Sequence, residues 1–182
     1  PDTGQTKCYD NDGEIPCPLP GDDFYGQDAS YSINPMSYTK LDASGNDLPD
    51  TATSWTMVRD NVTGLIWEVK TDDGSIHDKD NTYTWYNPDP NTNGGNVGTP
   101  NEGVCTGSAC DTQGYVQAVN YLPQPLCGAR DWRMPWQEEL TSIVDYGRVN
   151  PAIDTAYFPL QRSSYVWSGS PYAYGSDYAW YV

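Results

Sequence analysis

The stretch Asp131–Gly147, DWRMPWQEELTSIVDYG, carries the clearest local structure signal in the chain. Its apolar side chains recur at the spacing of one helical face, at Trp136, Leu140, Ile143 and Val144. Pro135 suits the first position of a helix, where its missing N–H would be unpaired anyway. Gly147 suits the left-handed conformation that often follows a last helical turn. We therefore predict a helix that begins at Pro135 and ends before Gly147.

A second helix is predicted from Asp111 to about Leu122. Its apolar residues fall on one face, at Tyr115, Val116, Val119 and Leu122. Asp111 is a favoured N-cap because its carboxylate accepts a hydrogen bond from the first turn. Pro123 ends the pattern, because a proline cannot continue the helical hydrogen bonding.

Aromatic and β-branched runs predict four strands, at Thr56–Arg59, Leu65–Lys70, Tyr165–Ser168 and Tyr178–Val182. Asp60–Gly64, between the first two runs, is predicted to form a turn. In the second run Leu65, Trp67 and Val69 alternate, which predicts one buried face. A short helical turn is predicted at Asn150–Phe158. The order of strands, two helices and strands predicts an α+β domain with a short antiparallel sheet and extensive loops.

The first 54 residues differ in composition from the rest of the chain. They are rich in Pro, Gly, Asp, Asn and Ser, which favour turns over regular elements. We therefore predict an irregular, disulfide-pinned extension over residues 1–54 and a folded domain over residues 55–182.

Five cysteines fall into two close pairs and one singleton. We predict two disulfides, Cys8–Cys17 and Cys105–Cys110, in an oxidising compartment. A zinc site is the alternative, but the flanks are turn-like and acidic, and His77 is the only histidine. Cys127 is left over, so it is free or its partner lies outside this chain.

The chain has a net charge of −16, from 9 Lys and Arg against 25 Asp and Glu. Phosphate groups require a clustered cationic surface, so nucleic acid and anionic membrane surfaces are poor partners. No run reaches the roughly 20 apolar residues that span a membrane, so we expect no membrane insertion.

Carboxylates gather in the turns around His77, at Asp72, Asp73, Asp78 and Asp80. They are candidate calcium ligands, because calcium prefers oxygen ligands on turns. Plain solvated turns are the commoner outcome of such a composition. Calcium is the one cofactor that the sequence suggests.

No catalytic constellation is visible in the sequence. A nucleophilic triad would have to use His77, which we expect to be a solvated loop histidine because its segment is polar and Asp-rich. Nothing selects a pair of carboxylates for glycoside hydrolysis. We therefore predict that the chain is not an enzyme.

The C-terminal segment mixes flat aromatic side chains with Ser, Gly and Asp, as antibody loops do. We predict that its loop binds a ligand through Tyr172, Tyr174, Asp177 and Tyr178. Trp167 and Trp180 lie in strand-like runs, where packing in the core is the commoner fate of a tryptophan.

Several short motifs follow one another, at Asn61–Trp67, Cys127–Pro135, Glu139–Leu140, Val144–Tyr146, Pro151–Ile153, Tyr165–Ser168 and Ala179–Val182. Their order and spacing resemble the C-terminal domain of the Legionella collagen-like adhesin, over about residues 55–182. The resemblance implies a C-type-lectin-like fold in secreted or surface proteins of bacteria, some of which bind sulfated glycosaminoglycans or host surfaces. Because this chain is strongly acidic, we do not expect it to bind glycosaminoglycans.

Members of that family continue past the last motif. We therefore expect the final strands of the domain, with a cysteine that could pair with Cys127, to be supplied from outside residues 1–182. The first expected function is a secreted bacterial adhesion module, outside the cell or on its surface, that binds a glycan or a protein. The second is a structural subunit of an extracellular filament or surface assembly, completed by a strand from a second copy or another chain.

Overall fold

The computed structural model describes residues 1–172 and 178–182. Over these residues the chain is an α+β fold with two short helices and three small antiparallel sheets. The strands are β1 (Cys8–Tyr9), β2 (Glu14–Ile15), β3 (Tyr38–Leu41), β4 (Met57–Asp60), β5 (Ile66–Glu68), β6 (Trp167–Pro171) and β7 (Ala179–Tyr181), and the helices are α1 (Thr112–Asn120) and α2 (Gln137–Thr141). Within the described ranges, none of the helices is long and apolar enough to cross a bilayer.

The central sheet has the order β3-β4-β5. Because β4 has a neighbour on each side, its residues are the most enclosed, and Met57, Val58 and Asp60 have no exposed surface. The turn between β4 and β5 was predicted at Asp60–Gly64 and is confirmed. The buried Asp60 carboxylate organises it, accepting from the Val62 N–H at 2.8 Å and from the Thr63 hydroxyl at 2.7 Å.

Strand β3 lies in the segment that we expected to be an irregular extension with little regular structure. Within it, Tyr38–Leu41 pairs along its whole length with β4, from Tyr38 opposite Asp60 to Leu41 opposite Met57. The rest of the extension holds only the β1–β2 hairpin and one short 3₁₀ turn at Asp28–Ser30. The boundary predicted between residues 54 and 55 is therefore crossed by sheet pairing.

The core combines the central sheet with the stretch that follows α1. Its buried members are Tyr38, Val58, Val69, Leu140, Ile143, Ile153 and Phe158. Leu140 and Ile143 come from the apolar stripe predicted for α2, but Trp136, at the start of that stripe, is 42% exposed. The turn predicted at Asn150–Phe158 is reduced to one hydrogen-bonded turn, in which the Phe158 N–H donates to the Asp154 carbonyl at 2.9 Å.

Helix α2 is much shorter than predicted, and neither Pro135 nor Gly147 has the role we expected. Before the helix, the Pro135 carbonyl accepts a bond from the Gly169 N–H at 2.7 Å, so this residue is held against β6. After the helix, the Asp145 N–H donates to the Ala152 carbonyl, and the Tyr146 N–H donates to the Thr3 carbonyl. Tertiary hydrogen bonds thus replace the helical bonds at both ends.

Helix α1 confirms the second helix prediction, although it ends two residues before Leu122. One Asp111 carboxylate oxygen accepts from the Gly114 N–H at 2.7 Å, as an N-cap should. The other accepts from the Asn101 N–H at 2.9 Å, which ties the preceding loop to the helix.

Both predicted disulfides are formed. They join Cys8 to Cys17, closing the β1–β2 hairpin, and Cys105 to Cys110, just before α1. Cys127 is a free, half-buried cysteine.

Candidate functional site

Strands β6 and β7 form a two-stranded ribbon at the C-terminal end of the described chain. Trp167 lies opposite Tyr181, and Pro171 lies opposite Ala179. Val166 and Val182 exchange both backbone hydrogen bonds, at 2.8 and 3.0 Å. The two strands occur where the sequence predicted them, although β6 begins two residues later than Tyr165.

Hydrogen bonds along β6 fix the ribbon to the body of the domain, and one of them runs from the Gln137 N–H to the Ser170 hydroxyl at 3.0 Å. The Trp85 indole donates to the Ser168 carbonyl at 3.0 Å, and the Trp167 indole donates to the Tyr83 carbonyl at 2.9 Å. Another is the bond from the Gly169 N–H to the Pro135 carbonyl. Ser168 is fully buried, so this edge of β6 faces the domain rather than solvent.

The outer part of the ribbon exposes large aromatic side chains. The exposed fractions are 78% for Tyr165, 69% for Tyr178, 42% for Trp180 and 49% for Tyr181, and we call these four residues the aromatic surface. Tyr165 packs on Tyr181, with ring centroids 4.5 Å apart. The expectation that Trp180 packs in the core is wrong.

A second group of polar, ionisable side chains surrounds the carboxylate of Glu68. We call this group, which consists of Glu68, Lys70, His77 and Tyr115, the Glu68 cluster. His77 Nδ1 lies 2.7 Å from Glu68 Oε1, and Lys70 Nζ lies 3.2 Å from both carboxylate oxygens. The Tyr115 hydroxyl donates to Glu68 Oε2 and accepts from Lys70 at 2.9 Å. The His77 side chain is only 18% exposed, so the prediction of a solvated histidine is wrong.

The electrostatics of this cluster favour a charged carboxylate. Burial raises the pKa of Glu68, but the hydrogen bond from His77, the charge of Lys70 and the hydrogen bond from Tyr115 together bring it below its ordinary value. Burial and the neighbouring Glu68 charge raise the pKa of Tyr115 well above its ordinary value. Tyr115 therefore remains a neutral hydrogen-bond donor at physiological pH.

The turn that contains His77 also brings three carboxylates together. Single oxygens of Asp72, Asp78 and Asp80 lie within 4.8 Å of one another, beside a groove of about 410 Å³ that is also lined by Val104 and Cys105. The fourth predicted ligand, Asp73, is not in this group. Its carboxylate instead accepts bonds from its own turn, from the Thr71 hydroxyl and the Ser75 N–H.

The three carboxylates already have partners in the protein. Lys79 pairs with Asp72 at 2.6 Å and with Asp80 at 3.4 Å, and Arg162 pairs with Asp80. Asp78 accepts three backbone N–H bonds, from Asp73, Gly74 and Asp80. A cation that used all three carboxylates would have to displace these bonds.

The family model of the Lcl C-terminal domain matches residues 56–182. This chain belongs to that family. The match confirms the resemblance to the adhesin's C-terminal domain and associates the chain with adhesins at the bacterial surface or outside the cell. Neither a search of curated proteins nor a search of solved structures finds a significant match.

In this Lcl C-terminal domain, the described part of the chain includes two of the four residues predicted to bind ligand. Tyr178 belongs to the aromatic surface, whereas Tyr172 is half-buried with its ring 4.9 Å from that of Trp180. Tyr174 and Asp177 lie outside the residues that the structure describes. The sequence prediction missed Tyr165 and Tyr181, because strand periodicity shows which side chains share a face but not whether another layer covers that face.

Proposed function

We propose that this Lcl C-terminal domain is an extracellular adhesion module that binds its ligand through the aromatic surface. The observation that carries the proposal is the concentration of four exposed aromatic residues on one short ribbon. Trp180 and Tyr181 are consecutive in β7 and therefore point to opposite faces, so both faces of the ribbon carry exposed aromatic rings, and exposed apolar groups that cluster in this way mark interaction sites. Tyrosine and tryptophan are also the residues that most often dominate binding energy in interfaces.

The way in which the ribbon is held supports this proposal. The bonds from Trp85, Trp167 and Gly169 fix β6 before any ligand arrives. Immobilising side chains and loops is one of the main costs of binding, so a fixed platform retains more of the contact energy. A C-type-lectin-like fold, in which loops and short strands present the ligand site on a rigid frame, is part of the proposal.

A non-enzymatic role is also part of the proposal. In the Glu68 cluster, the donors of His77, Lys70 and Tyr115 are directed at one carboxylate. A general base needs a free position within hydrogen-bond reach of a substrate proton. The cluster is better suited to join three segments: strand β5, helix α1 and the turn of residues 72–80 that contains His77, which we call the acidic turn.

The test compares wild type with the double variant Tyr178→Ala/Trp180→Ala for attachment to bacterial and host surfaces and to a glycan array. Tyr121→Ala is the matched control, because Tyr121 is 81% exposed but follows α1 instead of lying on the ribbon. We expect the double variant to lose attachment and the control to retain it. Equal attachment of all three proteins would contradict the proposal.

We propose an assembly subunit as the second candidate function, on the observation that no described strand pairs with the outer edge of β7. An unpaired strand edge is a template for a strand from a neighbour. Size-exclusion chromatography and electron microscopy distinguish the two functions. Filaments or closed oligomers of the purified chain would support assembly, and a monodisperse monomer at high protein concentration would contradict self-assembly.

A further inference from the structure

We propose that the segment of residues 8–31, which lies outside the span that the family model matches, binds a Lys- or Arg-bearing segment of a partner protein. Its residues are not those of the aromatic surface, so this ligand is a second one, beyond the proposed function. Three observations carry the proposal: exposed aromatic rings over almost no core, the bonds that hold these rings together, and an excess of carboxylates beside them.

Four large aromatic side chains of this segment face solvent. Tyr9, Phe24, Tyr25 and Tyr31 are each between 43% and 51% exposed, and we call them the N-terminal patch. Cys8 is the only buried residue among residues 1–36, all of which the structure describes. The rings of the patch therefore do not pack on a core of their own segment. Clustered apolar side chains that remain exposed in this way mark a surface for a partner.

Hydrogen bonds hold the members of the patch together. The Gln27 side chain accepts from the Tyr9 N–H and donates to the Tyr9 carbonyl, both at 2.8 Å, and it donates to the Phe24 carbonyl at 3.0 Å. Tyr25 and Tyr31 share a hydrogen bond between their side chains. Phe24 has a φ of 62°, a left-handed conformation that is costly for a bulky residue and is found at ligand-binding positions. A backbone held in this way loses little freedom when a ligand binds.

The segment is also strongly acidic. Residues 1–36 contain seven Asp and Glu but only one cation, Lys7, which already has a carboxylate partner at 2.6 Å. Asp23 directly precedes Phe24 in the chain, so a carboxylate lies beside the rings. The carboxylates of Asp12 and Asp23 are exposed, and within the described residues no hydrogen bond or ion pair engages either of them.

An aromatic ring beside a carboxylate is the combination that holds a lysine elsewhere in this domain. The Lys70 ammonium lies 4.5 Å from the ring centroid of Tyr115 and 3.2 Å from a carboxylate oxygen of Glu68. Lys and Arg are attracted to the faces of aromatic rings as well as to carboxylates. The N-terminal patch presents both groups at the surface, so its chemistry suits a cationic side chain from another protein.

A second copy of this chain fits the patch less well than a basic segment does. Two domains that each carry a charge of −16 repel one another at separations up to the Debye length, about 8 Å at physiological ionic strength. The same excess charge attracts a basic segment and accelerates its encounter with the domain. We therefore assign the patch to a basic segment of a different protein.

The test uses the whole chain and a fluorescein-labelled peptide in which lysine alternates with glycine and serine. Fluorescence anisotropy measures its binding at low and at physiological salt. We expect the lysine peptide to bind, more weakly as the salt is raised, and a peptide with glutamate at the lysine positions not to bind. Equal binding of the two peptides would overturn the charge assignment, and binding of neither would overturn the proposal.

Charge variants at exposed positions locate the site. Asp12→Asn/Asp23→Asn removes two carboxylates from the segment, and Asp131→Asn/Glu138→Gln removes two exposed carboxylates from elsewhere in the chain. Since the two double variants have the same net charge, only a local site distinguishes them. We expect the first to bind the lysine peptide about fivefold more weakly, as the loss of two exposed charge pairs should cause, and the second to bind it nearly as wild type does. Equal binding by the two variants would overturn the proposal.

Ring variants test the aromatic contact. Phe24→Ala/Tyr31→Ala should weaken binding of the lysine peptide about tenfold, and Tyr121→Ala, at an exposed tyrosine outside the segment, should leave it unchanged. Tyr178→Ala/Trp180→Ala should also bind the peptide as wild type does. Loss of peptide binding in that variant would assign the basic ligand to the aromatic surface and overturn the proposal. Because Phe24→Ala/Tyr31→Ala should still attach to surfaces, failure of this proposal and failure of the adhesion function are seen separately.

Discussion

His77 Nδ1 and Glu68 Oε1 lie 2.7 Å apart, although one residue belongs to a turn and the other to strand β5. Tyr115, from helix α1, reaches the other oxygen of the same carboxylate. One side chain thus joins three segments that have little regular structure between them. Because the Glu68 side chain is only 15% exposed, its bonds are poorly replaced by water.

Replacing Glu68 with glutamine should destabilise the domain by about 3 kcal/mol, because breaking a buried ion pair leaves its partner uncompensated. The variant keeps the side-chain volume but leaves Lys70 without its counter-charge. Urea unfolding at neutral pH measures the loss. Glu138→Gln is the control, since Glu138 is exposed on α2, and unfolding midpoints that agree between the two variants would contradict the structural role of Glu68.

The same carboxylate should make the domain sensitive to acid. The pKa of Glu68 is lower in the folded state than its ordinary value of 4.5, so the unfolded chain binds a proton more readily. The stabilisation is therefore present above the unfolded pKa and is lost as the pH falls through the folded pKa. Thermal melts from neutral pH to about pH 3 should show a larger acid loss in wild type than in Glu68→Gln. Parallel curves would count against a lowered pKa.

Trp85→Phe should loosen the ribbon. The substitution removes the indole N–H that bonds to the carbonyl of Ser168. Because Ser168 is fully buried, its carbonyl would be left unsatisfied, which costs about 1–3 kcal/mol. Binding through the aromatic surface should weaken as well, because β6 loses an anchor. Trp136→Phe, at a side chain that is 42% exposed, should change the free energy of unfolding by less than about 0.5 kcal/mol. Equal stability of the two variants would show that Trp85 is not an anchor.

Calcium should bind the acidic turn only weakly while Lys79 and Arg162 occupy its carboxylates. Replacing both Lys79 and Arg162 with methionine should free the carboxylates of Asp72 and Asp80 and strengthen calcium binding. The measurement is the rise in melting temperature on adding millimolar calcium, with a chelator as the reference, because a ligand that binds only the folded state raises its stability. A large rise in the melting temperature of wild type, or no rise in that of the double variant, would contradict competition between calcium and the side chains of Lys79 and Arg162.

Heparin should not retain the domain, even at about 50 mM salt, where phosphate- and sulfate-type contacts are strongest. All nine Lys and Arg side chains form ion pairs with carboxylates or hydrogen bonds with carbonyls of the same chain, so they do not form a cationic cluster for a polyanion. Heparin affinity chromatography with a basic protein of similar size as the positive control is sufficient. Retention of wild type would require a cationic surface that the described residues do not form.

Local signals in the sequence were sufficient for several features. Asp111 as an N-cap, the turn after β4 and both disulfides each depend on residues close together in the chain, where spacing restricts geometry. The fold class also follows from the order of the elements. The four carboxylates around His77 were found because they lie in one short segment, although Asp73 turned out to bond within its own turn.

Features that depend on distant partners were missed. Tyr115 and Glu68 are 47 residues apart, and nothing near either residue signals their contact. The apolar period of α2 continues to Val144, but the next backbone groups bond to Ala152 and Thr3 instead of continuing the helix. The exposure of Trp180 was missed because a strand pattern gives no information on what packs against it.

The pairing of β3 with β4 has a consequence for how this protein is divided. The family similarity begins at residue 56, but Tyr38 of β3 lies within the core, where its ring meets those of Tyr157 and Phe158 at 5.3 and 5.7 Å. A fragment trimmed to residues 56–182 would lose these ring contacts and expose the edge of β4, whose Met57 and Val58 are otherwise fully buried. The span that the family model matches is therefore shorter than the span whose residues pack in one core.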